Sequence, residues 1–330
     1  MTVTGVVIKN IIRKLITSQD HRSEVLALID AEFLQYAVDF FKRVACAKLD
    51  RNDVTVDWYK DELLCSDSLS KEEVAVHSGL NIKTISNMYN SARKEIVLEA
   101  SLKHYDALRE VINSLTEQDD TNITLTIKFR EVSVDLNINE SLIVINTLAV
   151  KRSALRGGLW STLGKQVEKP LMITLCALFQ VPIKCFDQKN LPESERESDF
   201  YLFDETGKDY PCEVKLMGKG NPESADAVFA RGGRVLVANK LSDTNKQQMD
   251  KDGIHWVELQ TKDGYKRFEQ VLKALSIPCK SFTGNLEEAL EKILSLILSD
   301  DVQDSVTPKS VLQENLFNDN SDSELLIEFE

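Results

Sequence analysis

Apolar residues recur at helical spacing through most of the first 120 positions, then give way to short strand-like runs. Between Ser23 and Leu49, Leu26, Leu28, Ile29, Phe33, Leu34, Ala37, Val38, Phe40 and Phe41 make a wide stripe that predicts a packing helix. Glu95 to Leu115 repeats the pattern through Leu98, Leu102, Leu108 and Ile112. Ile123–Phe129 and Val132–Leu136 alternate as strands do, and Ile143–Val150 predicts a third. Leu163 to Phe179 is a helix carrying Val167, Leu171, Leu175 and Leu178, with Pro170 acceptable only in a first turn. Phe200–Phe203 and Tyr210–Met217 flank the turn residues Gly207, Lys208 and Asp209, which predicts a hairpin. A short helix from Asn221 to Arg231 and a buried strand from Arg234 to Asn239 follow. Then come a polar helix from Asp243 to Asp252, a strand from Ile254 to Leu259, and helices at 264–276 and 281–298.

This order predicts an α+β or α/β chain. Residues 1–120 form a helical domain, and 121–298 a domain with a mixed central sheet flanked by helices. Residues 121–150 form a β-bridge at its start, and 299–330 a weakly ordered tail.

The hairpin carries the most specific chemistry. Side chains alternate along a strand, so Glu213 and Lys215 share one face while Cys212, Val214 and Leu216 suit the buried one. Asp199 starts the preceding strand and is placed to lie beside Glu213; Asp204, Glu205 and Asp209 are rival candidates for that first carboxylate. Two carboxylates with a lysine suit a hard cation such as Mg²⁺, which takes oxygen ligands and keeps several waters. Side by side on a solvated strand, the same residues would make only a charge pair.

Asp199 with Glu213-Val214-Lys215 resembles the motif of the PD-(D/E)XK nucleases, in which an acid precedes a hairpin whose second strand carries Asp/Glu-x-Lys. Ser198 stands where that family often has proline. Glu168, near the start of the preceding helix, matches a glutamate that reaches the metal there directly or through water. The resemblance covers about residues 155 to 275 and implies a nuclease core. The stretches Leu163–Leu171 and Cys212–Pro222 look most like the CfrBI-type restriction endonucleases. That resemblance implies a homodimer dependent on Mg²⁺, with Mn²⁺ as substitute. It would cut both strands of a palindrome, CCWWGG, and leave 5′-phosphates in a bacterial cytoplasm shared with a cognate DNA methyltransferase. Asp199, Glu213 and the Val214 carbonyl would then hold the metal, Lys215 would position the attacking water, and Glu168 would complete or support the shell.

Residues 70–94 resemble a helix-turn-helix. Ser70 and Glu73 have capping-box spacing, and Gly79 sits where a positive φ is cheap. Val74, Leu80, Ile85 and Met88 would pack its two helices together, leaving Lys83, Thr84, Ser86, Asn87, Asn90 and Arg93 exposed on the second. Those hydroxyl, amide and basic groups suit base edges and phosphates in a major groove. Arg156 and Lys165, around the paired Gly157 and Gly158, are further candidates for holding phosphate.

Charge changes this picture less than its total suggests. The chain of 330 residues has a net charge of −13. Residues 300–330 hold nine acids against Lys309 alone, which accounts for −8 of it. A duplex meets the local field of a surface, so the remainder is compatible with DNA binding. No run is long and apolar enough to span a membrane, and residues 1–10 lack the pattern of a signal peptide. The six cysteines are scattered with no CxxC pair, as expected of free thiols in a reducing compartment. Two other classes fit parts of the pattern: a structure-selective or repair nuclease on the same core, and a helix-turn-helix regulator with an inert core.

Overall fold

The computed structural model describes residues 3–51, 56–80, 82–118, 124–129, 132–187, 198–216 and 226–298. The acidic tail at 299–330 and the predicted helical residues 221–225 lie outside them. Two compact units divide the chain, one at residues 26–159 and the other combining the residues before 26 with those from 160 onward.

Helix α1 (Val3–Ile16) is followed by α2 (Arg22–Arg51) and α3 (Val56–Leu63). Two short helices, α4 (Lys71–His77) and α5 (Ile82–Tyr89), come next, and then the long α6 (Lys94–Gln118). Ser70 and Glu73 close the expected capping box on α4: the Ser70 hydroxyl accepts the Glu73 amide, and the Ser70 amide donates to the Glu73 carboxylate. Gly79 makes the turn at φ +87°. Val74, Ala75 and Ile85 pack there into a core shared with Tyr59, Leu63 and Val97. Tyr59 stacks on Tyr105 with ring centroids 5.2 Å apart and donates its hydroxyl to the His77 carbonyl at 2.7 Å. Met88 does not join this packing. It is 65% exposed, because the eight-residue α5 turns only Ile85 fully inward.

Strands β1 (Leu125–Phe129) and β2 (Val132–Leu136) pair antiparallel. The third bridge strand predicted at 143–150 is instead part of α7 (Ile138–Leu178). Glu140, Ser141, Ile143, Val144 and Thr147 are buried there at helical spacing. Asn137 and Glu140 cap the start reciprocally, through Asn137 N–H to Glu140 Oε2 at 2.7 Å and Glu140 N–H to Asn137 Oδ1 at 3.0 Å. Pro170 accordingly lies inside α7 rather than in a first turn. Its own carbonyl accepts the Thr174 hydroxyl at 2.7 Å.

The unit that contains residues from 160 onward is built on a mixed four-stranded sheet. Its strands are β3 (Phe200–Phe203), β4 (Asp209–Lys215), β5 (Val235–Ala238) and β6 (His255–Glu258), lying in that order. β3 and β4 are antiparallel, whereas β4, β5 and β6 run parallel. Crossovers supply α8 (Asp226–Ala230) and α9 (Asp243–Lys251). The chain then runs through a 3-10 turn (Gly264–Lys266) into α10 (Arg267–Ala274) and ends in α11 (Leu286–Ile297), capped by Asn285. β5 is buried along its whole length, as a parallel strand covered on both faces must be. Val228 of α8 and Met249 of α9 pack with Leu236 and Ala238 on one face. On the other, buried Cys176 of α7 lies near Cys212.

Candidate catalytic site

The turn between β3 and β4 settles which carboxylate lies near Glu213. Asp204 Oδ1 accepts the amides of Thr206 and Lys208 at 2.8 and 3.1 Å, and its Oδ2 accepts the Tyr210 hydroxyl at 3.1 Å. Asp204 is therefore a turn residue. Glu205 sits in that turn, and Asp209 pairs with Phe203 beside it. At the far end of the hairpin the last ladder pair is Phe200 with Cys212. Asp199, one residue beyond, turns its carboxylate to β4 and accepts the Val214 amide at 2.8 Å.

Glu213 and Lys215 share a face, as alternation requires, but that face is not solvated. The Glu213 side chain is wholly withdrawn from solvent, beside Leu236 of β5. Lys215 Nζ bridges the two acids, 3.0 Å from Asp199 Oδ2 and 3.2 Å from Glu213 Oε2. A second cation, Arg231, follows α8 and approaches both Glu213 oxygens, at 3.2 and 3.4 Å, with Asp199 Oδ1 at 3.9 Å. No sequence motif marks Arg231; the parallel pairing of β4 with β5 brings its segment to the acids.

Burial, then the Asp199 charge, raises the Glu213 carboxyl above its ordinary range, against Lys215 and Arg231. Burial also works against the Lys215 ammonium, yet Asp199 and Glu213 together outweigh it and raise the lysine. Glu168 on α7 feels the same cluster. Burial first and Asp199 second push its carboxyl up to about 7, with Lys215 pulling the other way. Glu168 thus belongs electrostatically to the group formed by Asp199, Glu213 and Lys215.

Among the described residues, no three His, Cys, Asp or Glu side chains are grouped as a ready-made metal cage. The convergence of two carboxylates still fits Mg²⁺, which is commonly held by one or two of them, with waters and substrate phosphate completing the shell. The Val214 carbonyl could supply a third oxygen. Its amide faces the β3 edge, and in an extended strand its carbonyl shares that edge, beyond the last ladder pair.

The other candidates stand elsewhere. Lys83 and Asn87 are exposed on α5, with Thr84 and Ser86 half-buried. Asn90 takes φ +51° and ends that helix, so Arg93 is exposed in the segment before α6 rather than on α5. Arg156 and Lys165 are exposed on α7, and a Cβ added at Gly157 or Gly158 would meet open space. Among the described residues, no helix is long and apolar enough to cross a membrane.

A family model described as CfrBI restriction endonuclease matches residues 5–246. No curated protein and no solved structure matches the chain.

Proposed function

The chain belongs to the CfrBI restriction endonuclease family, whose members are nucleases that hydrolyse DNA, and from that premise we propose a Mg²⁺-dependent type II enzyme that cuts both strands of a short palindrome. The observation that carries the reading is Lys215 Nζ held between the Asp199 and Glu213 carboxylates, with the raised Glu168 carboxyl in the same field.

In this reading the site is of the PD-(D/E)XK type. Asp199, Glu213 and the Val214 carbonyl hold the ion, for which Mn²⁺ substitutes, and Glu168 supports the shell. Bound Mg²⁺ supplies Lewis-acid stabilisation of charge on the scissile phosphate and lowers the pKa of water. Lys215 donates to the attacking water and orients it toward phosphorus. The buried face around Glu213 keeps this field in a low dielectric, where fixed charges act strongly. In the other unit α4 and α5 serve as a helix-turn-helix, with Lys83, Thr84, Ser86, Asn87 and Asn90 meeting DNA. Arg93, Arg156 and Lys165 grip the backbone. A homodimer matches its two-fold symmetry to that of the duplex, with CCWWGG as the site implied by the family likeness, and a cognate methyltransferase protects host DNA.

The test is digestion of a large phage DNA by the purified chain with Mg²⁺, alongside EDTA and Glu213→Ala controls. Discrete bands lost in both controls are expected, with the variant at least ~100-fold slower yet still able to bind DNA. A smear would favour a structure-selective or non-specific nuclease. Intact DNA that still shifts on a gel would leave a binding protein only.

A further inference from the structure

The nuclease reading accounts for Asp199, Glu213, Lys215 and Glu168 but leaves Arg231 without a role. Its guanidinium nitrogen Nη1 approaches both oxygens of a carboxylate withdrawn from the surface. Asp199 and Glu213 carry two negative charges, and Lys215 with Arg231 carries two positive ones. These four side chains balance in charge, with the raised Glu168 carboxyl beside them. A buried acid stripped of its partners is strongly destabilising, so neutralisation of Glu213 matters to the fold itself.

A divalent ion at the same oxygens would bring four positive charges against these two acids, with Glu168 as the one further acid in the field. Withdrawal of one cation relieves that excess. The Lys215 side chain is 20% exposed and rises from the central strand β4, whereas the Arg231 side chain is 42% exposed and follows the five-residue α8. Resting on the metal-site reading above, we propose that Arg231 and the divalent cation are alternative occupants of the Glu213 carboxylate. The guanidinium neutralises the buried acid until the ion arrives and is then displaced. Arg231 is thus a positioning residue whose exchange weakens ion binding, and the free protein loads metal reluctantly.

The experiment is calorimetric titration of the full chain with MgCl₂ and with MnCl₂, without DNA. Wild type is compared with Arg231→Gln, Arg231→Lys and Arg234→Gln. The last removes an equal charge from an exposed residue three positions away. Arg231→Gln should bind the ions about tenfold tighter, an ordinary size for coupling between competing occupants. Arg231→Lys should fall between it and wild type, because the lysine keeps the charge on a differently shaped, more strongly hydrated head group. Arg234→Gln should match wild type. Equal affinities for wild type and both Arg231 variants would overturn the exchange while leaving the metal site standing. An equal gain in Arg234→Gln would reduce the effect to net charge and also overturn it. Absence of binding in every protein, Arg231→Gln included, would overturn the exchange, because removing the guanidinium would then release no site for the ion; metal-dependent cleavage tests the metal site separately. Should Arg231→Gln not fold, the lysine variant still has to exceed wild type.

Discussion

Lys215 Nζ lies 3.0 Å from Asp199 Oδ2, and that same oxygen accepts the amide of Val214 at 2.8 Å. One carboxylate oxygen therefore reads both the backbone and the side chain of the strand opposite. Asp199 is held in place by hairpin register, and a one-residue slip would turn Glu213 and Lys215 to the other face.

Glu168 should give the metal-free protein a distinct pH dependence. Its folded pKa, about 7, lies above the ordinary 4.5. The folded state thus holds the proton longer, and stability is full below about 4.5 and declines as pH rises toward 7. Glu168→Gln should be more stable than wild type at pH 8 by on the order of 1 kcal/mol, after allowance for solvent screening, with no gain at pH 4.5. Thermal unfolding in EDTA at the two pH values checks this; an equal shift at both would contradict it.

His77 should act with the opposite sign. It is 5% exposed, and burial lowers its pKa from 6.5, against the Leu63 carbonyl 2.9 Å from Nδ1. The unfolded chain takes up the proton first, so this stability is complete above 6.5 and is lost as pH falls below it. The unit of residues 26–159 should therefore loosen in mild acid. His77→Gln should flatten the slope of that unit's urea stability between pH 5 and 6.5; His21, which burial also lowers, belongs to the other unit.

Lys83→Ala should weaken DNA binding across sequences and reduce the slope of log K against log salt by about 1, as expected when one fewer phosphate is neutralised. Binding isotherms at several salt concentrations measure it. An unchanged slope would show that this side chain does not touch phosphate.

Gly264→Ala should destabilise the sheet unit by about 1–3 kcal/mol or more. A Cβ there would come 2.1 Å from the Glu258 carbonyl oxygen and 3.0 Å from that of Leu259, both backbone atoms at the end of β6. The midpoint of urea denaturation should fall accordingly.

The hairpin was legible in the sequence because alternation, turn residues and a polar pair agree within one short stretch. The turn at Gly79 was legible for the same reason: capping box and glycine point to one geometry. The helix at 143–150 was hidden because Ile143, Val144, Ile145 and Val150 have strand propensity, and tertiary burial overrode it. The Asn137 and Glu140 spacing was the signal that would have revealed it. Met88 looked like core by periodicity, but a helix as short as α5 has too few turns to bury a full stripe. Arg231 had no local signal, since its contact with Glu213 spans 18 residues and depends on a crossover. Which acid paired with Glu213 was open on spacing alone, and the hydrogen bonds of Asp204 to its own turn decided it.

The same turn bears on the order of assembly. A hairpin closed by residues 204 to 208 needs little chain entropy and can form in about 1–10 µs. Pairing β4 with β5 needs a crossover and belongs to the slower, non-local phase. Asp199, Glu213 and Lys215 therefore meet while the chain is still largely open, whereas Arg231 arrives only with β5. Pulse-labelled hydrogen exchange during refolding should protect the β3–β4 amides before those of β5 and β6. The acids would then pass through a brief nascent stage in which Lys215, from their own hairpin, is their counterion.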